Sequence, residues 1–281
     1  MLRQRVVTAI ALLTVVFAAV LSPQAWPLLL LLSVMSALAL WEWLRLTLVA
    51  QWSGLAIAAA LVFFALTCGV LFTASGKALL VHMAGAGGLP LLAVVSLFWL
   101  TGAVITVVRG KADQPAASVT FSLVSLFAVV AAWLSLVLLL VHRGPWFLVS
   151  LLALIWVADI TAYFSGKALG RHKLAPRVSP GKTWEGAIGG VTGAVVWVVL
   201  SARWPGSFGD VLLAQWSWWL VVFFAAALGA VSIVGDLFES LLKRRAGRKD
   251  SSGLLPGHGG VFDRVDALLP VAPLAYLLTG I

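Results

Sequence analysis

The chain has 281 residues, of which 62% are hydrophobic and only 10% are charged, and its formal net charge is +9. A soluble domain carries roughly 25% charged residues, so this composition excludes an ordinary water-soluble protein. A positive charge can indicate nucleic-acid binding, but in a membrane protein it more often reflects anionic lipids and basic cytoplasmic loops. We therefore predict membrane lipids as the surroundings of the chain and no nucleic-acid partner.

Apolar stretches recur along the whole sequence, and stretches of roughly 18 or more residues can cross a hydrocarbon core of about 30 Å. We predict an all-α fold, a polytopic integral membrane helical bundle of about nine transmembrane helices. A β-barrel would instead show alternating segments of about ten residues. The predicted spans are residues 6–22, 27–44, 54–74, 89–108, 119–141, 146–166, 186–202, 216–238 and 265–281.

The Lys and Arg residues are divided unevenly between the two faces that these spans define. With the N-terminus in the cytoplasm, 16 of the 19 lie inside, and only Lys77, Arg143 and Arg203 lie outside. Cytoplasmic loops are typically basic, so the asymmetry favours this orientation. We expect a multi-pass protein of a bacterial-type inner (cell) membrane, with its N-terminus, catalytic loops and active site at the cytoplasmic face.

The two halves of the chain differ in polar content. Residues 1–145 are interpreted as N-terminal transmembrane scaffold helices, nearly devoid of chemistry. Residues 146–281 are interpreted as C-terminal transmembrane catalytic helices that form one integral membrane unit with the first half. The second half holds seven of the ten acidic residues, all at or near the predicted cytoplasmic face: Asp159, Glu185, Asp236, Glu239, Asp250, Asp263 and Asp266.

Asp159 lies about 10 Å inside its span, at 1.5 Å per helical residue. A carboxylate at that depth is costly and therefore indicates a functional role. Pairing with a hydroxyl or a basic residue of a neighbouring helix would also explain it.

The segment after this span resembles the end of a P-loop at Gly181–Thr183, but that pattern needs a glycine where Pro176 stands. Ser179, Lys182 and Thr183 instead precede a predicted helix start, and the free N–H groups there attract anions. A capped basic loop without a ligand is the alternative.

The most polar stretch, residues 240–266, is called the signature segment below and reads S-L-L-K-R-R-A-G-R-K-D-S-S-G-L-L-P-G-H-G-G-V-F-D-R-V-D. The helix before it carries a polar stripe at helical spacing that includes Asp236 and Glu239. Asp263 and Asp266 are also one turn apart. Carboxylates brought together repel one another unless a cation joins them, and hard oxygen ligands suit Mg²⁺.

Two features of the signature segment leave alternatives open. The basic run 243–249 would serve equally as a membrane anchor at a cytoplasmic face. His258 stands among glycines and could be structural, a phosphate donor or a metal ligand.

The signature segment resembles the sequence signature of the CDP-diacylglycerol synthase, or phosphatidate cytidylyltransferase, family. Upstream pieces D-I-T-A-Y-F-S-G, S-P-G-K-T-W-E-G and S-I-V-G-D-L-F-E-S resemble further family blocks in the same order, so the likeness covers about residues 156–270. Ala267 departs from the family, where many members have Ser. The fixed positions of the signature are matched by Ser240, Lys243, Arg244, Lys249, Asp250, Pro256, His258, Gly259, Gly260, Asp263, Arg264 and Asp266.

The resemblance implies that CTP and phosphatidate react to CDP-diacylglycerol and pyrophosphate with Mg²⁺, in membrane phospholipid synthesis. It also implies a second cation, with K⁺ as the candidate, and a homodimer. On this basis we hypothesise that Asp236 and Asp263 hold the metal, with Asp266 and Glu239 as further ligands or as their support. The residues expected to be catalytic are Asp236, Asp263, Lys243, Arg264 and Lys249. The residues expected to bind substrate or phosphate are Ser179, Lys182, Thr183, Arg244, His258, Gly259, Gly260 and Asp159.

Two other functions are considered. A CTP-dependent lipid-alcohol kinase of the polyprenol or phytol type would need a base for the hydroxyl, for which His258 or Asp159 are candidates. A membrane transporter would place charges near span midpoints or in paired repeats, whereas the polar residues here cluster at one face.

Overall fold

Helices dominate the computed structural model, which describes residues 2–280. A 3₁₀ turn at Ala50–Trp52 precedes the third helix, and π-helical turns occupy Met83–Gly87 and Phe98–Ala103. The predicted class of a helical membrane protein agrees with this architecture. The helices are α1 Leu2–Val20, α2 Trp26–Thr47, α3 Ser53–Phe72, α4 Ala74–His82, α5 Leu89–Leu97, α6 Val104–Arg109, α7 Val119–Leu169, α8 Trp184–Ser201, α9 Phe208–Gln215, α10 Trp218–Arg245, α11 Phe262–Val265 and α12 Leu268–Thr279.

Within residues 2–280, six helical segments are long and apolar enough to cross a membrane. One of them, α7, has 51 residues, far more than the ~20 that one crossing needs. The chain breaks within α7 at Gly144, whose φ of 86° and ψ of 173° are not helical, directly before Pro145. This break falls at the connection predicted between spans 119–141 and 146–166. The count of nine crossings stays a prediction.

A two-stranded antiparallel hairpin is present that the all-α prediction omitted. Strand β1, Lys173–Ala175, pairs with strand β2, Ser179–Thr183. The hairpin leads directly into α8, where the side chain of Thr183 accepts a hydrogen bond of 3.1 Å from the backbone N–H of Gly186. The sequence correctly predicted a helix start here, and the structure adds that a strand delivers Lys182 and Thr183 to it.

Thr183→Ala removes this cap, and we expect it to lower the stability of the protein by about 1 kcal/mol. Thr183→Ser keeps the acceptor oxygen and should preserve most of that stability. Thermal unfolding midpoints of the two variants in detergent check this expectation. Equal midpoints for the alanine and serine variants would contradict the capping role.

An aromatic cluster joins the two halves of the chain. Trp43 of α2 stacks on Phe262 of α11 with ring centroids 5.0 Å apart, and Phe238 of α10 lies 5.5 Å from the same indole. Trp99 packs 5.4 Å from Phe238 and 6.3 Å from Trp43, so the three rings contact one another. Each such pair adds about 0.5–1.5 kcal/mol beyond the area that it buries. As a result, α2 packs directly against α10 and α11, which carry the two ends of the signature segment.

Candidate active site

Three carboxylates meet where α10 passes the start of α12. Asp236 and Glu239 lie on α10, Asp266 follows α11, and each offers an oxygen within 4.8 Å of the other two. The approach depends on Gly235, because a Cβ at that position would lie 2.5 Å from the backbone oxygen of Asp266. The polar stripe predicted on α10 is therefore brought against the end of the signature segment.

Two lysines neutralise part of this negative charge. Lys182 of β2 forms an ion pair with Asp236. The ammonium of Lys243 lies 2.5 Å from an oxygen of Glu239 and 2.5 Å from an oxygen of Asp263, so it bridges the two carboxylates. Among residues 2–280, Asp266 takes part in neither ion pair. The cluster of three carboxylates therefore keeps an excess of negative charge.

Asp263 is engaged differently from these three carboxylates. Its Oδ2 accepts hydrogen bonds from the backbone N–H of Ser251 at 2.9 Å and from the N–H of Gly260 at 2.8 Å, and the hydroxyl of Ser251 lies 2.7 Å from the same oxygen. Burial raises the pKa of Asp263, but the surrounding hydrogen bonds outweigh burial and hold this pKa well below its ordinary value. Asp263 therefore organises the signature segment and orients Lys243, and its role as a direct metal ligand stays a prediction.

The remaining predicted residues of the signature segment surround this core. Arg264 donates from Nε and Nη2 to the backbone oxygen of His258, at 3.2 and 2.7 Å. Gly259 closes the turn that contains His258 with a φ of 81°, and its carbonyl accepts from Leu255 at 2.9 Å. Lys249 is exposed beyond the end of α10.

The hairpin is tied to the site from two sides. Arg244 of α10 donates to the backbone oxygen of Val178 at 3.2 Å. Asp159, Lys182, Thr183 and Asp236 all line one cavity of about 440 Å³. Ser179 is half-buried on β2, outside the set that lines this cavity. The structure thus brings Asp159 together with the predicted phosphate-binding and metal-binding groups.

A second, largely apolar groove of about 760 Å³ adjoins this polar cavity. Leu174, Ala187 and Ile233 line both spaces, so they form the shared wall. Two arginines, Arg109 and Arg177, also line the groove. A polar site and an apolar space with basic residues therefore meet at one place in the fold.

The three-carboxylate cluster fits a hard divalent cation. Glu239 is 1% exposed, and its Oε1 is buried without a hydrogen-bond partner among the side chains that the structure describes. A buried oxygen without a partner is costly, and carboxylate oxygens are the ligands that Mg²⁺ prefers. Asp236, Glu239 and Asp266 are thus the residues that could hold the metal.

One residue of the network lies in the half that was interpreted as scaffold. Glu42 of α2 is fully buried, 0% exposed. It accepts hydrogen bonds from Ser251 Oγ at 2.9 Å, Ser252 Oγ at 2.5 Å, Val261 N at 3.1 Å and Phe262 N at 2.6 Å. The first half thus supplies a buried carboxylate to the signature segment, and the interpretation of residues 1–145 as scaffold helices stays a prediction. The available signal was a carboxylate inside an apolar span, the same signal that identified Asp159.

The site combines carboxylates that suit a cation with basic groups that suit anions, and both lie in a helical membrane bundle. This combination is typical of membrane-embedded enzymes that act on phosphate compounds. The chain belongs to the cytidylyltransferase family, whose sequence model matches residues 3–281. This confirms the family resemblance of the signature segment.

Three relatives carry the name phosphatidate cytidylyltransferase. The chain is 38% identical over 277 residues to the one from Pseudomonas aeruginosa, covering 98% of this chain and 95% of that protein. It is 33% identical over 290 residues to the one from Haemophilus influenzae, covering 97% and 96%. It is 52% identical over 134 residues to the one from Brucella abortus, covering 48% and 47%.

Proposed function

We propose that the chain transfers a cytidylyl group from CTP to phosphatidate and releases CDP-diacylglycerol and pyrophosphate, as a step of membrane phospholipid synthesis. The observation that carries this proposal is the junction of the polar cavity with the apolar groove across Leu174, Ala187 and Ile233. A water-soluble nucleotide suits the first space and a lipid suits the second. The names of the three relatives favour this pair of substrates over a nucleotide and a lipid alcohol.

In this reaction, an oxygen of the phosphatidate phosphate attacks the α-phosphorus of CTP. The new P–O bond forms as the bond from the α-phosphorus to the bridging oxygen breaks, and pyrophosphate carries that oxygen away. A phosphate monoester has a second pKa of about 6, so the nucleophile is already largely a dianion at neutral pH. The protein therefore needs no strong general base and must instead position two anions and neutralise their charge.

The basic side chains around the cavity are suited to that task. Lys182 lines the cavity, Lys243 lies beside Glu239, and Arg264 lies on α11, two residues before Asp266. Asp159 would face the lipid headgroup or support the groups that do. The further groups that would contact the phosphates are Ser179, Thr183, Arg244, Lys249, His258, Gly259 and Gly260.

Asp236, Glu239 and Asp266 would hold Mg²⁺, and Asp263 would assist from the signature segment. Bound there, Mg²⁺ would neutralise negative charge on the phosphate oxygens. A second cation, K⁺, stays a prediction from the family resemblance, as does the homodimer.

The proposal places the site at the cytoplasmic face of an inner membrane that the chain crosses nine times. The distribution of Lys and Arg, 16 of 19 on one predicted face, supports this orientation. The break at Gly144 supports counting α7 as two crossings.

The test uses the purified protein in detergent with phosphatidate, Mg²⁺ and CTP that carries ³²P at the α-phosphate. We expect the label to enter a lipid that migrates as CDP-diacylglycerol, and we expect EDTA to abolish this transfer. With ³²P at the γ-phosphate, the label should appear in pyrophosphate and not in lipid.

The kinase alternative makes the opposite prediction. Lipid labelling from the γ-phosphate in the presence of a lipid alcohol, without labelling from the α-phosphate, would replace the proposed function with phosphorylation. A general base would then be required, for which Asp159 and His258 are the candidates.

A further inference from the structure

Glu42 is not among the residues assigned above to the metal or to the phosphates. Its buried carboxylate nevertheless contacts the signature segment, which carries several of those residues. We propose that Glu42 is a positioning residue for catalysis. It fixes residues 251–262, and through Ser251 and Asp263 it sets the position of Lys243 beside the three carboxylates. The catalytic part of this inference rests on the proposed cytidylyl transfer.

The two oxygens of Glu42 are used symmetrically. Oε2 accepts from the hydroxyl of Ser251 and the N–H of Phe262, and Oε1 accepts from the hydroxyl of Ser252 and the N–H of Val261. One side chain of α2 thereby ties together the two ends of the turn that contains His258. Between α10 and α11 the described backbone forms no helix, and its one strand-like pairing joins Leu255 to Gly259. The hydrogen bonds to Glu42 therefore fix this segment together with those that Asp263 and Arg264 make to it.

Gly260 gives independent support for this contact. A Cβ at residue 260 would lie 2.5 Å from both carboxylate oxygens of Glu42, a distance that no side chain tolerates. Glycine at this signature position is therefore required for the carboxylate to reach the backbone. The requirement comes from the Glu42 carboxylate together with the hydroxyl of Ser251, which would lie still closer to that Cβ. The backbone conformation does not impose it, since Gly260 is not among the glycines with a positive φ.

A continuous path of contacts leads from Glu42 to the carboxylate cluster. The hydroxyl of Ser251 lies 2.9 Å from Glu42 and 2.7 Å from Asp263, and its one hydrogen serves either carboxylate in turn. Asp263 lies 2.5 Å from Lys243, which lies 2.5 Å from Glu239. Packed polar networks of this kind fix the orientation of the groups at their end, as the residues that support metal ligands do.

Glu42→Gln tests the role of the carboxylate with little change of shape. In either orientation of the amide, its NH₂ group faces one hydroxyl and one backbone N–H. The hydrogen bond to that N–H is then lost, because two donors face each other. We expect kcat to fall about 10–100-fold and the Mg²⁺ concentration for half-maximal activity to rise about 10-fold, the range found for residues that support metal ligands. The KM for phosphatidate should stay unchanged, and amide hydrogen exchange at Val261 and Phe262 should accelerate.

Thr47→Val is the matched control on the same helix. Thr47 is 1% exposed and accepts a hydrogen bond from Ser122 of α7 at 2.9 Å, away from the signature segment. This variant should keep the Mg²⁺ dependence of the natural protein. A purely structural role of Glu42 would instead make both variants lose activity only in proportion to their folded fraction, which would overturn the proposal.

Two neighbouring serines test the path itself. Ser251→Ala removes the hydroxyl that joins Glu42 to Asp263, whereas Ser252→Ala removes a hydroxyl that contacts Glu42 but not Asp263. We expect the shift in Mg²⁺ dependence for Ser251→Ala and nearly natural behaviour for Ser252→Ala. Equal effects of the two changes would overturn the proposed path. If Glu42→Gln does not accumulate as folded protein, Ser251→Ala carries the test.

Failure of the proposed function would be visible separately. It would appear as absence of cytidylyl transfer in the unaltered protein. Failure of the positioning role would appear as unchanged hydrogen exchange at Val261 and Phe262 in Glu42→Gln, a measurement that requires no turnover.

Discussion

Asp266→Asn is expected to reduce cytidylyl transfer by more than about 100-fold, since even residues that only support metal ligands cost roughly 10–100-fold. Asp266 offers one of the three oxygens that lie within 4.8 Å of one another, so its loss removes a ligand from the candidate metal site. Without metal, the three carboxylates repel one another. The asparagine variant should therefore be at least as stable as the natural protein in metal-free buffer.

Thermal unfolding with and without Mg²⁺ measures this directly. A ligand at 100 times its Kd stabilises a protein by about 2.7 kcal/mol, so Mg²⁺ should raise the unfolding midpoint of the natural protein but not that of Asp266→Asn. Asp113→Asn, at an exposed acid outside the site, is the control and should respond like the natural protein. If Mg²⁺ raised the unfolding midpoint of Asp266→Asn as much as that of the natural protein, Asp266 would not be a metal ligand.

Asp263→Asn provides the contrast. Asp263 accepts two backbone hydrogen bonds at one oxygen, which also lies 2.7 Å from the Ser251 hydroxyl, and pairs with Lys243 through the other oxygen. Its replacement should lower the unfolding midpoint in both buffers while the stabilisation by Mg²⁺ persists. Loss of the Mg²⁺ response in this variant would instead support the sequence-based hypothesis that Asp263 is a direct ligand.

Local patterns explain what the sequence could predict. The apolar stretches located the helices, because crossing a bilayer fixes the length of an apolar helix. The stripe of Asp236, Glu239 and Lys243 followed from helical spacing, because residues three and four apart share a face. α10 continues to Arg245, beyond the predicted span end at residue 238, so this stripe lies on one uninterrupted helix. The helix start after Thr183 followed from a polar residue ahead of an apolar stretch.

Long-range geometry explains what the sequence could not predict. The hydrogen-bond partners of Glu42 are 209 to 220 residues away along the chain, and no periodicity reports such a contact. The spacing of Asp263 and Asp266 suggested one shared site, but it could not give their different partners. Asp266 lies with Asp236 and Glu239, while Asp263 contacts Ser251 and Lys243, and Lys243 bridges to Glu239. The hairpin was missed because Ser179–Thr183 contains Pro and Gly, which are depleted in strands.

Lys243→Met is expected to destabilise the protein more than any other single change at the site. The side chains of Lys243, Glu239 and Asp263 are 13%, 1% and 7% exposed, so the ion pairs are buried. Removing one partner of a buried ion pair costs about 3–5 kcal/mol, because it leaves an uncompensated charge in a poorly solvated place. Here a single ammonium compensates two carboxylates, so we expect the upper part of this range and loss of activity.

The unfolding midpoint in detergent measures this effect, and Lys173→Met, at an exposed lysine of β1, is the matched control with an expected change near zero. A double variant separates charge from packing. If the uncompensated charge causes the loss, adding Glu239→Gln to Lys243→Met should recover part of the stability, because one buried carboxylate is then neutral. A double variant as unstable as the sum of its single changes would show that the ammonium contributes through packing and not by compensating the buried carboxylates.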